Sequence, residues 1–180
     1  MERILKHVPT ILTNDPSMTA WGWAILDYQG RIIEIGCIKT VTEGKKRRIR
    51  KSDETSQRIS EINNVLLGLI RRYNVNYILT ESPHGSQNAS AAVMVGIVAA
   101  IVQTISDCLD IGVEWYSEGD SKKCLLGKIS ATKQETVDAI KKLYDVPWPG
   151  KKYKDEAVAD ALAVHYVATK QSSTLKMMRR

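Results

Sequence analysis

The chain contains no phenylalanine, so aromatic packing falls to four tryptophans and seven tyrosines. Its three cysteines, Cys37, Cys108 and Cys124, are odd in number and widely spaced, which argues against a disulfide framework or a zinc site and leaves them as reduced, buried thiols. The opening MERILKHVPT has no apolar stretch followed by small cleavage-site residues, so it does not read as a secretory signal and the protein is placed in a cytoplasm. The longest apolar run, residues 89–102, is too short to cross a bilayer and reads as a buried helix. There is no internal repeat and no sign of a second domain.

What is present is an ordinary globular composition, with 43% hydrophobic and 26% charged residues over 180 positions. That length suits one domain able to bury its own core. A net charge of +6 and a pI near 9.2 favour an anionic partner, of which nucleic acid is the commonest.

Residues 10–14, 20–27 and 31–40 are β-rich and separated by the turn signals Asp15-Pro16-Ser17 and Tyr28-Gln29-Gly30, which predicts an antiparallel meander. Ser52 or Asp53 can cap a helix running to Tyr73, with an apolar stripe from Ile59 through Ile62, Leu66, Leu69 and Ile70, and with Arg58, Glu61 and Arg71 exposed. A strand follows at 76–82. Next comes a helix at 88–109, apolar on nearly every side and expected against the sheet centre. A strand at 112–116 and a short helix at 120–126 lead to a capping box, Thr132 with Glu135, that opens a helix to Tyr144. Pro147 and Pro149 break the chain before a last helix at 155–169, and 171–180 reads as a basic tail, frayed or bound to phosphate. The order predicts an α/β fold, a mixed five-stranded sheet with helices on both faces.

Three acids fall within or just past apolar stretches: Asp15 and Glu81 at strand ends and Asp160 on the last helix. A lone buried carboxylate is costly, so each needs hydrogen bonds, a basic partner or a metal. Carboxylates converging from separate elements suit hard cations such as Mg²⁺ or Mn²⁺, and two such ions favour phosphodiester hydrolysis. Singly each acid has a structural explanation, as a turn residue, a salt-bridge partner or a solvated helix position.

Four segments in order carry a resemblance: ILTNDPSMTAWGWAILD, YILTESPHGSQNASAAVMVGIVAA, YSEGDSKKCLLGKISATKQET and DEAVADALAVHY. Together they resemble the RuvC-type Holliday junction resolvases of the RNase H-like superfamily, over about residues 10–168. The resemblance implies an RNase H-like nuclease domain over 1–170 and a crossover junction endodeoxyribonuclease that resolves branched DNA by paired nicks. It further implies two Mg²⁺ or Mn²⁺ ions per site and a homodimer with helix 88–109 as its interface. It places Asp15, Glu81 and Asp160 on the family's catalytic acids and Lys122 and Lys133 on its two lysines. The kinase- and actin-like ATPases that share the fold need two such domains and Gly-rich phosphate loops, which are missing here.

The sequence also departs from the family pattern. Where an acid or His is usual three residues before the last Asp stands Ala157, so the fourth ligand is open between Glu156, favoured because it lies one turn before Asp160, and Asp155, which could instead cap the helix. His84 stands where a wedge aromatic is usual, and Asn14, just before the first catalytic acid, is expected to orient Asp15 by a hydrogen bond. Candidate DNA contacts are His84, Gln87, Asn88, Lys123 and the run Lys45, Lys46, Arg47, Arg48, Arg50 and Lys51 within a flexible basic loop at 43–52. The tryptophans read as packing residues. A basic arm and tail suit a phage-encoded resolvase acting without a helicase. The rival readings are a related nuclease cutting hybrids or flaps, and an inactive junction-binding protein.

Overall fold

A computed structural model describes residues 10–42, 50–85 and 88–179. Strands β1 (Thr10–Asp15), β2 (Ala20–Asp27) and β3 (Ile32–Lys39) form the expected meander, and β4 (Val75–Glu81) and β5 (Gly112–Tyr116) add to it in parallel. The sheet order is β3-β2-β1-β4-β5. Residues 45–48 and Gln87, named above as DNA contacts, lie outside the described residues.

Period-two alternation decides which helices each strand face meets. On one face Leu12, Trp21, Trp23, Ile25 and Ile78 pack against α1 (Lys51–Tyr73) and α2 (Ala89–Leu109). On the other, Ile11, Ala24, Leu26 and Leu79 meet α5 (Lys152–Gln171), whose alanines let it lie close, with α3 (Glu118–Leu126) and α4 (Lys133–Leu143) beside it. Helices therefore cover both faces.

Helix boundaries follow their caps. Thr132 and Glu135 form the reciprocal capping box, and Asn88 Oδ1 accepts from Ala91 N at 2.9 Å. Helix α1 instead starts at Arg50, which makes no side-chain cap bond, so Ser52 and Asp53 lie inside the first turn. The end of the chain also differs from expectation: Ser172 caps α6 (Ser173–Met178), Leu175 is fully buried, and Arg179 Nε donates to Tyr28 O at 2.8 Å. Two of the tail's three apolar side chains, Leu175 and Met178, pack on β4, β5 and α5 and hold it down, while Met177 is exposed.

Helix α2 departs furthest from its expected place. Only the stripe Val98, Ile101, Val102 and Ile105 is buried among its apolar residues, while Val93 is 57% and Leu109 39% exposed. Over its full 21 residues it is by length and composition apolar enough to cross a membrane, although its buried stripe belongs to the sheet-facing core. Periodicity could not reveal this, because a helix apolar all round has no sequence-visible inner face. The cysteines are free as expected, but Cys108, on the same helix, is exposed rather than buried.

Candidate active site

Because β1 and β4 run parallel, their C-terminal ends emerge at the same edge. The register pairs Asn14 with Thr80, which sets Asp15 and Glu81 next to each other one step further on. Asn14 does not reach Asp15. Its Nδ2 donates to Leu79 O at 3.3 Å and its Oδ1 accepts from Thr80 Oγ1 at 3.1 Å, so it staples the two strands immediately before the acids, from the opposite face.

The third acid arrives through a close helix-to-sheet approach. Asp15 is paired with Gly22 on β2, and a Cβ at Gly22 would stand 1.9 Å from the carbonyl oxygen of Ala157. Only glycine allows α5 to sit that low. Thr13 Oγ1 donates to Ala161 O at 2.6 Å and fixes the helix along the strand, so Asp160 projects over the strand ends. Lys133, in the first turn of α4, reaches Asp160 Oδ2 at 3.3 Å.

The electrostatics follow from this crowding. Burial, then the charge of Asp160, holds the Asp15 carboxyl well above the usual range, with Lys133 opposing. Glu81 is raised further, by burial first and then by Asp15, Asp160 and Glu118. Asp160 is also raised by burial, against the pull of Lys133. Burial disfavours the Lys133 charge, but Asp160 and Asp15 outweigh it and hold its proton more tightly. Three carboxyls thus share one close ammonium among the described residues; their ionised form is costly until a further cation arrives, and clustered hard oxygens of this kind are the donor chemistry of Mg²⁺ or Mn²⁺. In these rotamers no three His, Cys, Asp or Glu side chains among the described residues yet enclose an ion position.

The two candidates for a fourth ligand separate. Asp155 is turned away: its Oδ2 lies 2.8 Å from Lys141 Nζ and its Oδ1 accepts from Gly150 N at 2.9 Å. Five residues before Asp160, it points to a different helix face. Glu156 lies on the Asp160 face, 4.0 Å from Lys152 Nζ, and its charge is felt by Lys133. The structure therefore brings Asp15, Glu81, Asp160 and Lys133 together, with Glu156 at the margin and Asp155 outside.

Lys122, 15% exposed, is 2.7 Å from Glu118 Oε1, and His84 Nε2 is 2.9 Å from Glu118 Oε2. Glu118 was missed in the sequence, although its i,i+4 relation to Lys122 was there to be read. Arg58 was read as an exposed residue, yet its guanidinium donates to Thr40 Oγ1 at 2.8 Å and Met18 O at 2.6 Å, clamping the turn after Asp15. Nothing in its spacing marks it, because its partners are 18 and 40 residues away. Among the basic candidates, Lys51 Nζ is 3.4 Å from Ser90 Oγ, Arg50 stands at the start of α1, and Lys123 is exposed on α3.

Comparison with known proteins gives the family and the fold. The family model for crossover junction endodeoxyribonuclease RuvC matches residues 11–168. The chain is 26% identical over 155 residues to the crossover junction endodeoxyribonuclease RuvC of Parvibaculum lavamentivorans, covering 86% of this chain and 83% of that protein. Its counterpart from Halothermothrix orenii is 26% identical over 160 residues, covering 86% and 88%. Among solved structures, T. thermophilus RuvC in complex with Holliday junction substrate superposes with a TM-score of 0.68 at 18% identity, covering 89% of this chain and 92% of that one. The yeast mitochondrial Holliday junction resolvase Ydc2 gives 0.63 at 13% identity, covering 99% and 86%. At such identities the solved structures speak for the fold alone, which is RNase H-like.

Proposed function

The chain belongs to the RuvC family of crossover junction endodeoxyribonucleases, and from that premise we propose that it cuts four-way DNA junctions by metal-dependent phosphodiester hydrolysis, one strand at each of two symmetry-related sites. The observation that carries this reading is the convergence of Asp15, Glu81 and Asp160 from β1, β4 and α5 around a single lysine.

In this reading Asp15, Glu81 and Asp160 would hold Mg²⁺ or Mn²⁺, with Glu156 the nearest further carboxylate on the same helix face. Divalent ions bound there, two per site, supply an activated water and a counter-charge for the leaving oxygen. Lys133 presents its ammonium to the phosphate beside Asp160 and Lys122 faces the same phosphate from α3, each opposing the negative charge that grows during displacement. Water adds to phosphorus as the bond to the 3′ oxygen breaks, leaving 5′-phosphate and 3′-hydroxyl ends. His84 and Asn88, with the basic run Lys45 to Lys51, Gln87 and Lys123, contact the junction backbone and crossover.

Paired nicks call for two sites related by a two-fold axis. The exposed face of α2 fits that role. It forms with α1 a groove of about 540 Å³ lined by Ile59, Leu67, Ile97, Ile101, Ile105 and Leu109, and beside them Asn63 Oδ1 is buried with no hydrogen-bond partner among the described residues. A second copy seated there would cover the apolar surface and could satisfy the amide.

The test is cleavage of a labelled mobile four-way junction in Mg²⁺ or Mn²⁺, with duplex, flap and RNA:DNA hybrid controls, for wild type and Asp160→Asn. Paired symmetric nicks that the variant loses, while it still binds the junction, are expected. Cutting of hybrid or flap in preference to junction would reassign the substrate, and tight binding with no cleavage would leave a structural DNA-binding protein.

A further inference from the structure

Glu118 occupies a singular place beside the cluster. It sits in the first turn of α3, 29% exposed, with both carboxylate oxygens engaged by groups from different elements: Lys122 one turn along its own helix and His84 from the loop after β4. Contacts on both oxygens fix the rotamer, so the carboxylate cannot turn while Lys122 is held. Lys122 is mostly buried on the helix that begins two residues after Tyr116, the register partner of Glu81, and its charge acts on Asp160.

We propose that Glu118 is a positioning residue that keeps Lys122 off the Asp15, Glu81 and Asp160 carboxylates, leaving the cluster open to a divalent cation and the ammonium aimed at the incoming phosphate. The proposal rests on the metal-dependent reading of the site given above. Its physical basis is competition. A lysine is a compact charge on a four-carbon flexible stem. Released in a mostly buried position beside carboxylates whose one direct ammonium contact among the described residues is Lys133, it collapses onto them and takes the place of the cation. Glu118 thus strengthens cation binding without ligating.

The experiment measures Mn²⁺ affinity by calorimetry, with no DNA and no turnover, for wild type, Asp160→Asn, Glu118→Gln, Lys122→Met and the Glu118→Gln/Lys122→Met double variant. Wild type binds Mn²⁺ and Asp160→Asn does not. Glu118→Gln weakens binding by about fivefold, the scale of a partly buried ion pair. Lys122→Met alone changes it by less than about twofold, because the charge removed was already held by Glu118, whereas in the Glu118→Gln background the same change recovers the loss. A double variant as weak as Glu118→Gln would make Glu118 a direct ligand and overturn the proposal. Equal effects of Lys122→Met in both backgrounds would reduce it to a distant additive field and also overturn it. A wild type that binds no Mn²⁺ would overturn the site reading and this inference together, while normal wild-type binding with unaffected Glu118 variants would sink this inference alone.

Discussion

Replacing Glu81 by Gln should stabilise the metal-free protein and destabilise its metal response. Glu81 is 9% exposed, ends a parallel strand beside Asp15, and has no ammonium of its own among the described contacts. Neighbouring strands lie about 5 Å apart, and two unit charges at that distance repel by about 3 kcal/mol at an effective dielectric of about 20. That repulsion sets the scale of the penalty, which the folded protein meets at pH 8 largely by keeping a proton on Glu81. Removing the ionisable carboxyl in EDTA at pH 8 should recover about 2 kcal/mol, which for a domain of this size raises Tm by roughly 4 to 8 °C. The sign with pH follows from the raised carboxyls of Asp15 and Glu81. Groups whose folded pKa is raised are comfortable while protonated, so the penalty is absent below the ordinary carboxylate range and grows as pH rises through the folded values. The variant's advantage should therefore shrink toward pH 4 and widen toward pH 8. In 5 to 10 mM Mn²⁺, concentrations on the order of typical weak-site saturation, wild type should gain more stability than the variant and the difference should narrow or reverse. Thermal melts of both proteins across pH, with EDTA or Mn²⁺, read this directly. A Glu81→Gln protein that is less stable than wild type in EDTA at every pH would refute the reasoning and make Glu81 a structural hydrogen-bonding residue.

Gly22→Ala should cost about 3 kcal/mol or more, since the new methyl meets a backbone carbonyl that cannot move without lifting α5, and junction cleavage should fall further than stability because Asp160 is displaced; melting and single-turnover rates check both. His165 is 2% exposed, hydrogen-bonded through Nδ1 to the Tyr144 hydroxyl at 2.8 Å, and burial followed by Arg179 depresses its pKa from 6.5 to about 4. Its neutral form is the folded one, so its contribution is present above pH 6.5 and is lost as pH falls toward 4, by about 3 kcal/mol; the difference in melting between wild type and His165→Gln should shrink over that window and stay flat above it. If the proposed dimer forms through the exposed α2 face, Leu109→Asp there should shift sedimentation from dimer to monomer and turn paired nicks into single ones without unfolding the chain; an unchanged dimer would place the interface elsewhere, and a monomeric wild type would overturn the dimer reading.

Much of the site was legible before the structure because it depends on local chemistry. Asp15 before Pro16, Glu81 at the end of an apolar strand and Asp160 in an alanine-rich helix were each visible as charges in apolar surroundings. The Thr132–Glu135 capping box was likewise a local signal, and it formed as read. What local signals could not give was which side of a helix an acid would present once docked. Asp155 and Glu156 are adjacent, yet one is paired with Lys141 and the other lies on the Asp160 face at the cluster's margin, its charge acting on Lys133. Arg58 was passed over because its partners come from other elements, and of Glu118's two partners only Lys122 was visible along the chain, His84 coming from another element.

Sequence by itself determined the elements from β1 to α5, their order, the three principal acids and the family, since caps, turns, alternation and motif spacing are all short-range properties of the chain. Tertiary structure alone decided how those acids meet. The parallel register of β1 and β4 sets Asp15 beside Glu81, and the absence of a Cβ at Gly22 lets α5 descend until Asp160 joins them. It also left one face of α2 uncovered. These outcomes depend on packing between residues up to 148 positions apart, as in the bond from Thr13 to Ala161, and no pattern along the chain encodes such distances.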